Sequence, residues 1–196
     1  MQENVTRKIS LYTPNKIYSG YMDIKAENIR TIDLLNSSNL YWKDPGEKSF
    51  ADSIMLNQAS ITIEGNKVIG TFPSLQLRLS DIIFFTDLLE QSGDDTEKAR
   101  ASTLSQKSQD TASMVRILTR MRGDSFYLIT GIFLGLFKSK SQQRYLPVTQ
   151  PQVNEIIRTG DQWSNKKVAI HNNFIGLAVN QIEACTFGKA EDLPGQ

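Results

Sequence analysis

A strand–turn–strand pattern occurs twice in this chain of 196 residues. Residues 7–24 and 115–137 each contain two runs that are typical of β-strands, separated by a short turn. The first turn is Pro14-Asn15-Lys16 and the second is Arg122-Gly123-Asp124-Ser125. Proline presets its own backbone angle, and asparagine and glycine tolerate a positive φ, so both segments predict hairpins. The Arg-Gly-Asp tripeptide is therefore interpreted as turn chemistry and not as an adhesion motif.

Each hairpin is followed by the pattern of a short helix, then a tryptophan, then an apolar strand with paired amides. The first helix is predicted to start after a cap at Asn28 and to end in residues 36–39, and the second is predicted over Pro151 to Arg158. The amide strands are residues 54–61 and 168–175, the second belonging to a strand predicted from Lys167 to Val179. The matching residues are unevenly spaced, and two β-rich segments can also be aligned by chance. Internal duplication is therefore one hypothesis and coincidence is the other.

The predicted fold is α+β and β-rich, with two small half-open lobes that resemble barrels or sandwiches. Each lobe has a hairpin, a short helix and further strands. Residues 1–90 form the first lobe, 91–113 a polar linker, 114–187 the second lobe and 188–196 a tail. The linker is predicted because this stretch has almost no large apolar residue. Residues 82–85, which are two isoleucines and two phenylalanines, predict a strand that is buried on both faces.

Composition excludes some classes of protein. The net charge is +1, so no overall field attracts nucleic acid or a membrane. Cys185 is the single cysteine, which rules out an internal disulfide framework. The N-terminal residues lack a signal-peptide pattern, and the longest apolar run, residues 126–137, is too short to cross a bilayer as a helix. We expect a cytoplasmic protein that does not associate with membranes.

No catalytic, metal-binding or nucleotide-binding motif is present in the sequence. His171 is the only histidine, and a metal site normally needs two or three convergent ligands. An enzyme would require Asp33, Asn57 and His171 to converge in a cleft. We predict no catalytic residue, no metal site, no cofactor and no enzymatic activity.

A basic segment in the second half supports an alternative function. It contains Arg116, Arg120, Arg122, Lys138, Lys140 and Arg144. Alternation along a strand predicts that the first three share one face, with Met121 on the other. Small barrels of the Sm-like or OB-like type bind nucleic acid through such surfaces. A solvated or salt-bridged face is the other interpretation.

Part of the first half is similar to a known family. Gly20-Tyr21-Met22-Asp23-Ile24, the segment from Arg30 to Asn36, and the closing residues 77–85 resemble a small β-rich bacterial domain of unknown function. The resemblance covers about residues 8–86 and implies a compact β-rich module without an assigned reaction. Within it, Arg30, Asp33 and Asn36 lie on one side of the predicted helix, and we expect this polar cluster to hold the helix to the sheet through hydrogen bonds.

The sequence therefore favours a non-catalytic interaction module, an adaptor or accessory subunit of a larger bacterial assembly. Its partner is expected to be another protein chain or a second copy, because open strand edges recruit further strands. Nucleic acid is the alternative partner. The candidate interface residues are aromatic: Tyr41, Trp42, Phe50, Phe137, Tyr145 and Trp163.

Overall fold

The computed structural model describes residues 5–24, 30–36, 52–63, 67–87, 113–133, 144–170 and 173–188. Strands dominate these residues, which also contain one α-helix, α1 (Thr31–Asn36), so the prediction of a β-rich fold is confirmed. The predicted linker and tail lie outside the described residues, apart from Ser113 and Gly188, which belong to strands.

The eleven strands of the described residues form one open antiparallel sheet. In chain order they are β1 (Val5–Thr13), β2 (Lys16–Ile24), β3 (Ser53–Ile63), β4 (Lys67–Arg78), β5 (Phe84–Asp87), β6 (Ser113–Thr119), β7 (Ser125–Phe133), β8 (Tyr145–Thr159), β9 (Gln162–Val168), β10 (Phe174–Ala178) and β11 (Ile182–Gly188). Two 3-10 turns, Leu79–Asp81 and Val179–Gln181, come before β5 and β11. The order across the sheet is β11-β6-β7-β8-β10-β5-β1-β2-β3-β4, and β9 pairs with the far end of β8. Strands from both halves of the chain therefore belong to one sheet.

Both predicted hairpins are confirmed. β1 and β2 pair in continuous register around a turn in which Asn15 has a φ of 63°. β6 and β7 pair around the Arg122–Ser125 turn, where Gly123 has a φ of 62°. A positive φ at each turn explains why asparagine and glycine occupy these positions.

The helix predicted over Pro151 to Arg158 is wrong, because these residues lie within the 15-residue strand β8. β8 pairs with β7 on one side and with β9 and β10 on the other, so tertiary pairing overrides the local helical pattern. The single strand predicted from Lys167 to Val179 is also wrong, because β9 ends at Val168 and β10 begins at Phe174.

Two apolar cores lie on opposite faces of the central strands. The first core is built mainly from β1–β5 and α1, and the second mainly from β6–β10. Phe85 and Tyr145 point into the first core, whereas their chain neighbours Phe84 and Leu146 point into the second. Successive residues of a strand face opposite sides, so β5 and the start of β8 contribute to both cores. Residues 82–85 are buried as predicted, since each is at most 3% exposed, but the strand begins at Phe84, and Ile82 and Ile83 precede it.

The same kind of β-bulge occurs in both halves. Gly20 of β2 lies where the register with β3 shifts, next to Gln58, which has a φ of 49°. Gly131 of β7 lies where the register with β8 shifts, next to Gln150, which has a φ of 48°. A Cβ atom at Gly20 would lie 2.9 Å from the Asn57 carbonyl oxygen, and one at Gly131 would lie 2.9 Å from that of Thr149. Each glycine therefore permits a close approach of two backbones, as predicted for Gly20.

Candidate functional site

The two halves of the chain meet where β5 pairs with β10. Phe84 lies opposite Leu177, and Phe85 lies opposite Gly176. The Ala178 amide donates to the Ile83 carbonyl at 2.9 Å, which extends the ladder beyond β5. A Cβ atom at position 176 would lie 2.8 Å from Cδ1 of Phe85 and closer still to Cε1 and Cζ. Glycine at this position therefore makes room for the Phe85 ring.

Helix α1 is attached to the same junction through Asn36. The Asn36 side-chain oxygen accepts hydrogen bonds from the backbone amides of Arg144 at 2.9 Å and Tyr145 at 2.8 Å. Its Nδ2 donates to the Tyr145 carbonyl at 3.1 Å. Arg30 and Asp33 instead form an exposed ion pair with each other, at 2.5 Å and 2.8 Å. Of the predicted polar cluster, Asn36 holds the helix to the sheet, while the other two residues bond along the helix.

The predicted aromatic interface is mostly outside the described residues. Tyr41, Trp42, Phe50 and Phe137 lie there. Tyr145 is 1% exposed, and its hydroxyl donates to the Leu79 carbonyl at 3.3 Å, so it packs in the core of the junction. Trp163 on β9 is 53% exposed and contacts the Phe126 ring edge-on, with Arg158 over its face.

The predicted basic surface is dispersed in the structure. Arg116 lies half-buried on β6, and Arg120 follows the end of that strand with its Nε donating to the Asn180 carbonyl at 3.0 Å. Arg122 lies in the hairpin turn beyond β6, and its Nε donates to Gln181 Oε1 at 3.3 Å. Arg144 forms an ion pair with Asp52 at 3.1 Å. Lys138 and Lys140 lie outside the described residues.

Two details of the predicted strand face are wrong. β6 ends at Thr119, so Arg122 does not continue its alternation, and Met121 is 42% exposed instead of lying on a buried face. The side chains of Arg120 and Arg122 turn toward the second 3-10 turn, which gives them protein partners.

A buried ionic group in the first half was not foreseen from the sequence. Arg7 of β1 is 4% exposed, and its Nη1 donates to Thr31 Oγ1 of α1 at 3.1 Å. Thr31 in turn donates to the carboxylate of Asp87 at the end of β5, and Arg7 Nε lies 3.9 Å from the same carboxylate. Arg7, Ile9 and Leu11 are two residues apart and therefore lie on the same face of β1. Since the two apolar residues indicate that this face is buried, the burial of Arg7 could have been predicted from the sequence.

Three aromatic rings pack against one another in the second core. Phe84 lies parallel to Tyr12 at 4.2 Å between ring centroids and edge-on to Tyr127 at 5.2 Å. Burial raises the pKa of Tyr12. Burial raises the pKa of Tyr127 well above its ordinary value, and the negative charge of Glu155 raises it further. Both hydroxyls therefore lose their protons less readily in the folded state than in the unfolded chain.

We expect the stability of the protein to fall as the pH rises above about 10, where tyrosines of the unfolded chain lose their protons. At such a pH the folded state holds more protons than the unfolded state, so raising the pH favours unfolding. Urea unfolding at pH 9, 10 and 11 measures this slope. The Tyr127→Phe variant should show a flatter dependence above pH 10, and equal slopes in the variant and the wild type would contradict the assignment.

The two ends of the sheet carry exposed apolar side chains. On β4, Val68, Ile69 and Phe72 are 56%, 49% and 40% exposed. At the other end, Phe187 on β11 is 44% exposed, and Val179 of the preceding turn is 36% exposed. Within the described residues, β4 pairs with β3 alone and β11 with β6 alone. We call the unpaired sides of β4 and β11 the outer edges.

The residues considered for catalysis have other partners or are not described. Asp33 pairs with Arg30, and the Asn57 amide donates to Asp23 at 3.1 Å. His171 lies outside the described residues. In the part of the chain that the structure describes, no group of three or more His, Cys, Asp or Glu side chains could hold a metal ion. No helix among the same residues is long and apolar enough to cross a membrane.

No protein-family model, curated protein or solved structure matches the chain.

Proposed function

We propose that the protein is a non-catalytic interaction module, an adaptor or accessory subunit of a larger cytoplasmic assembly in bacteria. The observation that carries the proposal is the pair of outer edges, on which backbone pairing groups and exposed apolar side chains occur together. Unprotected edges attract further strands, and natural proteins usually protect them with charges, proline or a covering element. β4 contains one such proline, Pro73, but its exposed Val68, Ile69 and Phe72 also offer apolar contacts to an added strand.

The mode of interaction that fits these edges is β-augmentation. A partner strand would add to β4 or β11 through main-chain hydrogen bonds, and the exposed apolar side chains would provide specificity. Trp163 on β9 remains the candidate contact among the predicted aromatics that are described. Tyr145 is better assigned to the junction, because its ring is buried there.

We further propose that the chain is an internal duplication of a five-stranded unit. Register supports this proposal: Ile9 lies opposite Gly20 on one side and opposite Asp87 on the other. Val115 lies in the same way opposite Gly131 and opposite Phe187. β1, β2 and β5 therefore correspond to β6, β7 and β11.

The remaining strands correspond as well, with β9 and β10 together in the place of β4, since both pair with β8 as β4 pairs with β3. Ile54 of β3 lies opposite Leu77 of β4, and Leu146 of β8 lies opposite Leu177 of β10. Each 3-10 turn then follows, closed by the amide of Ile82 or Ile182. In this correspondence β3 matches β8, and not residues 168–175 as the sequence pattern suggested. The resemblance of residues 8–86 to a bacterial domain would then describe one unit of the pair.

The proposal is tested by replacing outer-edge residues and recovering partners from the native host. We expect Ile69→Lys and Phe187→Lys to lose protein partners that the tagged wild type retains after nuclease treatment, because a charge on an edge strand opposes pairing. Met121→Lys is the matched control, since Met121 is equally exposed but lies on neither outer edge. Retention of all partners by both edge variants would remove β4 and β11 as the interaction surface.

A second candidate function, nucleic-acid binding, is favoured by one surface of the open sheet, which is not the Sm-like or OB-like barrel expected from the sequence. Phe126, Trp163, Arg158 and Lys167 share one face of β7, β8 and β9 according to their registers. Exposed aromatic rings with neighbouring cations bind single strands by stacking and by charge. In the same purification, nucleic acid that is lost at high salt and in Trp163→Ala or Arg158→Glu would favour this function over the first.

A further inference from the structure

The two proposed units contact each other through different surfaces, because each contributes a strand that does not correspond to the strand of the other. The first unit contributes β5, its last strand, and the second contributes β10, which corresponds to the final residues of β4. Such a head-to-tail contact uses one surface of each unit and leaves the complementary surface of each unit unpaired. In this chain, the surfaces left over are β11 and the final residues of β4, which lie at opposite ends of the sheet.

We propose that β11 of one chain pairs with β4 of a second copy of this chain, so that the contact within the chain is repeated between chains. This inference rests on the proposed interaction function and names its partner. Because the internal register is known, the register between chains follows from it. Within the chain, Phe85 lies opposite Gly176; the corresponding residues at the outer edges are Cys185 and Gln76, which would face each other between chains. In the same way, the internal pair Phe84 and Leu177 corresponds to Ala184 and Leu77 between chains.

Side-chain size agrees with this register. Within the chain, a large residue, Phe85, lies against a residue without a side chain, Gly176. Between chains, the small Cys185 would lie against the larger Gln76, so the combined volume of the two side chains remains moderate. Cys185 is exposed and Gln76 is half-buried, so both are accessible at the outer edges.

Charge and hydrogen bonding agree as well. The next position in the register places Arg78 of β4 opposite Glu183 of β11, both of which are exposed. Opposite charges at facing positions of antiparallel strands stabilise pairing. Within the chain, Thr86 Oγ1 donates to the Phe174 carbonyl at 3.4 Å. The corresponding residue of β11 is also a threonine, Thr186, which would donate to the Ser74 carbonyl of the second copy.

Repetition of a head-to-tail contact gives a closed ring if the rotation between units closes, and an open filament if it does not. Since every chain brings two units, a closed ring holds an even number of units.

Charge reversal at the 78–183 pair tests the proposal. Native mass spectrometry and light scattering of the purified full chain should detect oligomers, from a two-chain ring upward. Arg78→Glu alone and Glu183→Arg alone should each weaken association by about tenfold or more, because like charges would then face each other. The double variant Arg78→Glu/Glu183→Arg should restore it. A monomeric wild type, or an oligomer that none of these changes affects, would overturn the proposal.

A cysteine introduced at position 76 tests the register independently. Facing residues of antiparallel strands have Cα atoms about 4.5–5.5 Å apart, within the range that a disulfide bridges. Gln76→Cys should therefore form disulfide-linked oligomers with the native Cys185 under mild oxidation, and Gln76→Cys/Cys185→Ser should not. Val68→Cys, at the other end of β4, is the control for random collision, and equal cross-linking from both positions would refute the register. A monomer whose edges still bind a different protein would disprove self-assembly and leave the interaction function standing.

Discussion

Replacement of Asp87 by alanine is expected to lower the free energy of unfolding by about 3–5 kcal/mol. Asp87 is 6% exposed and shares its carboxylate between Thr31 of α1 and Arg7 of β1. After the substitution, Arg7 would keep its positive charge in a closed environment without this carboxylate. Removing one member of a buried ion pair has this large effect because the remaining charge is poorly solvated.

Urea unfolding at neutral pH measures the effect, and Asp33→Ala is the matched control. Asp33 also pairs with an arginine, Arg30, but both side chains are about half exposed. An exposed pair contributes at most about 1 kcal/mol, so the control should remain close to the wild type. The double variant Arg7→Met/Asp87→Leu should recover much of the stability, because apolar residues of similar volume can replace a buried pair. Similar losses in Asp87→Ala and Asp33→Ala would contradict the buried role of this pair.

Local chemistry made the hairpins and the central strand predictable. Asn15 and Gly123 adopt the positive φ that their residue types favour, and no distant contact is needed to specify these turns. The apolar run from Ile82 to Phe85 indicated burial on both faces, because a strand with one solvated face alternates with polar residues. These features are encoded within a few neighbouring residues.

The strand conformation of β8 could not be predicted from its local sequence. Residues 151–158 fit a helix by their own pattern, and only pairing with β7 on one side and with β9 on the other makes them a strand. The continuity of the sheet has the same origin, since β5 and β10 are about 90 residues apart in the chain. Pairing at such separation leaves no periodic signal in either segment.

The candidate site was predictable to a similar degree. Asn36 was identified as a residue that holds the helix to the sheet, but its partners at Arg144 and Tyr145 come from the other half of the chain. Tyr145 was expected at an interface and is buried, because exposure of an aromatic residue depends on what packs around it. The outer edges emerge only once the complete strand order is known.

Gly176→Ala is expected to destabilise the junction between the two halves by about 1–3 kcal/mol or more. The added methyl group would overlap the Phe85 ring, which is 0% exposed and lies edge-on to Tyr145 at 5.3 Å and to Phe174 at 6.2 Å. The ring is enclosed by these neighbours, so it cannot turn away without displacing them. The first and second cores should both be affected, because Phe84 on the opposite face of β5 belongs to the second core.

A double-mutant cycle with Phe85→Leu isolates this contact. Leucine lacks the outer ring atoms that the new methyl group would meet, so Gly176→Ala should destabilise the Phe85→Leu protein much less than the wild type. Gly70→Ala is the control: its added Cβ would lie 3.1 Å from Phe72, but Phe72 is 40% exposed and can rotate into solvent. Thermal unfolding of the four proteins of the cycle and of the control measures these differences. Additive effects of the two substitutions would mean that the glycine is required for a reason other than the Phe85 ring, and the junction would then have to be explained by its backbone pairing alone.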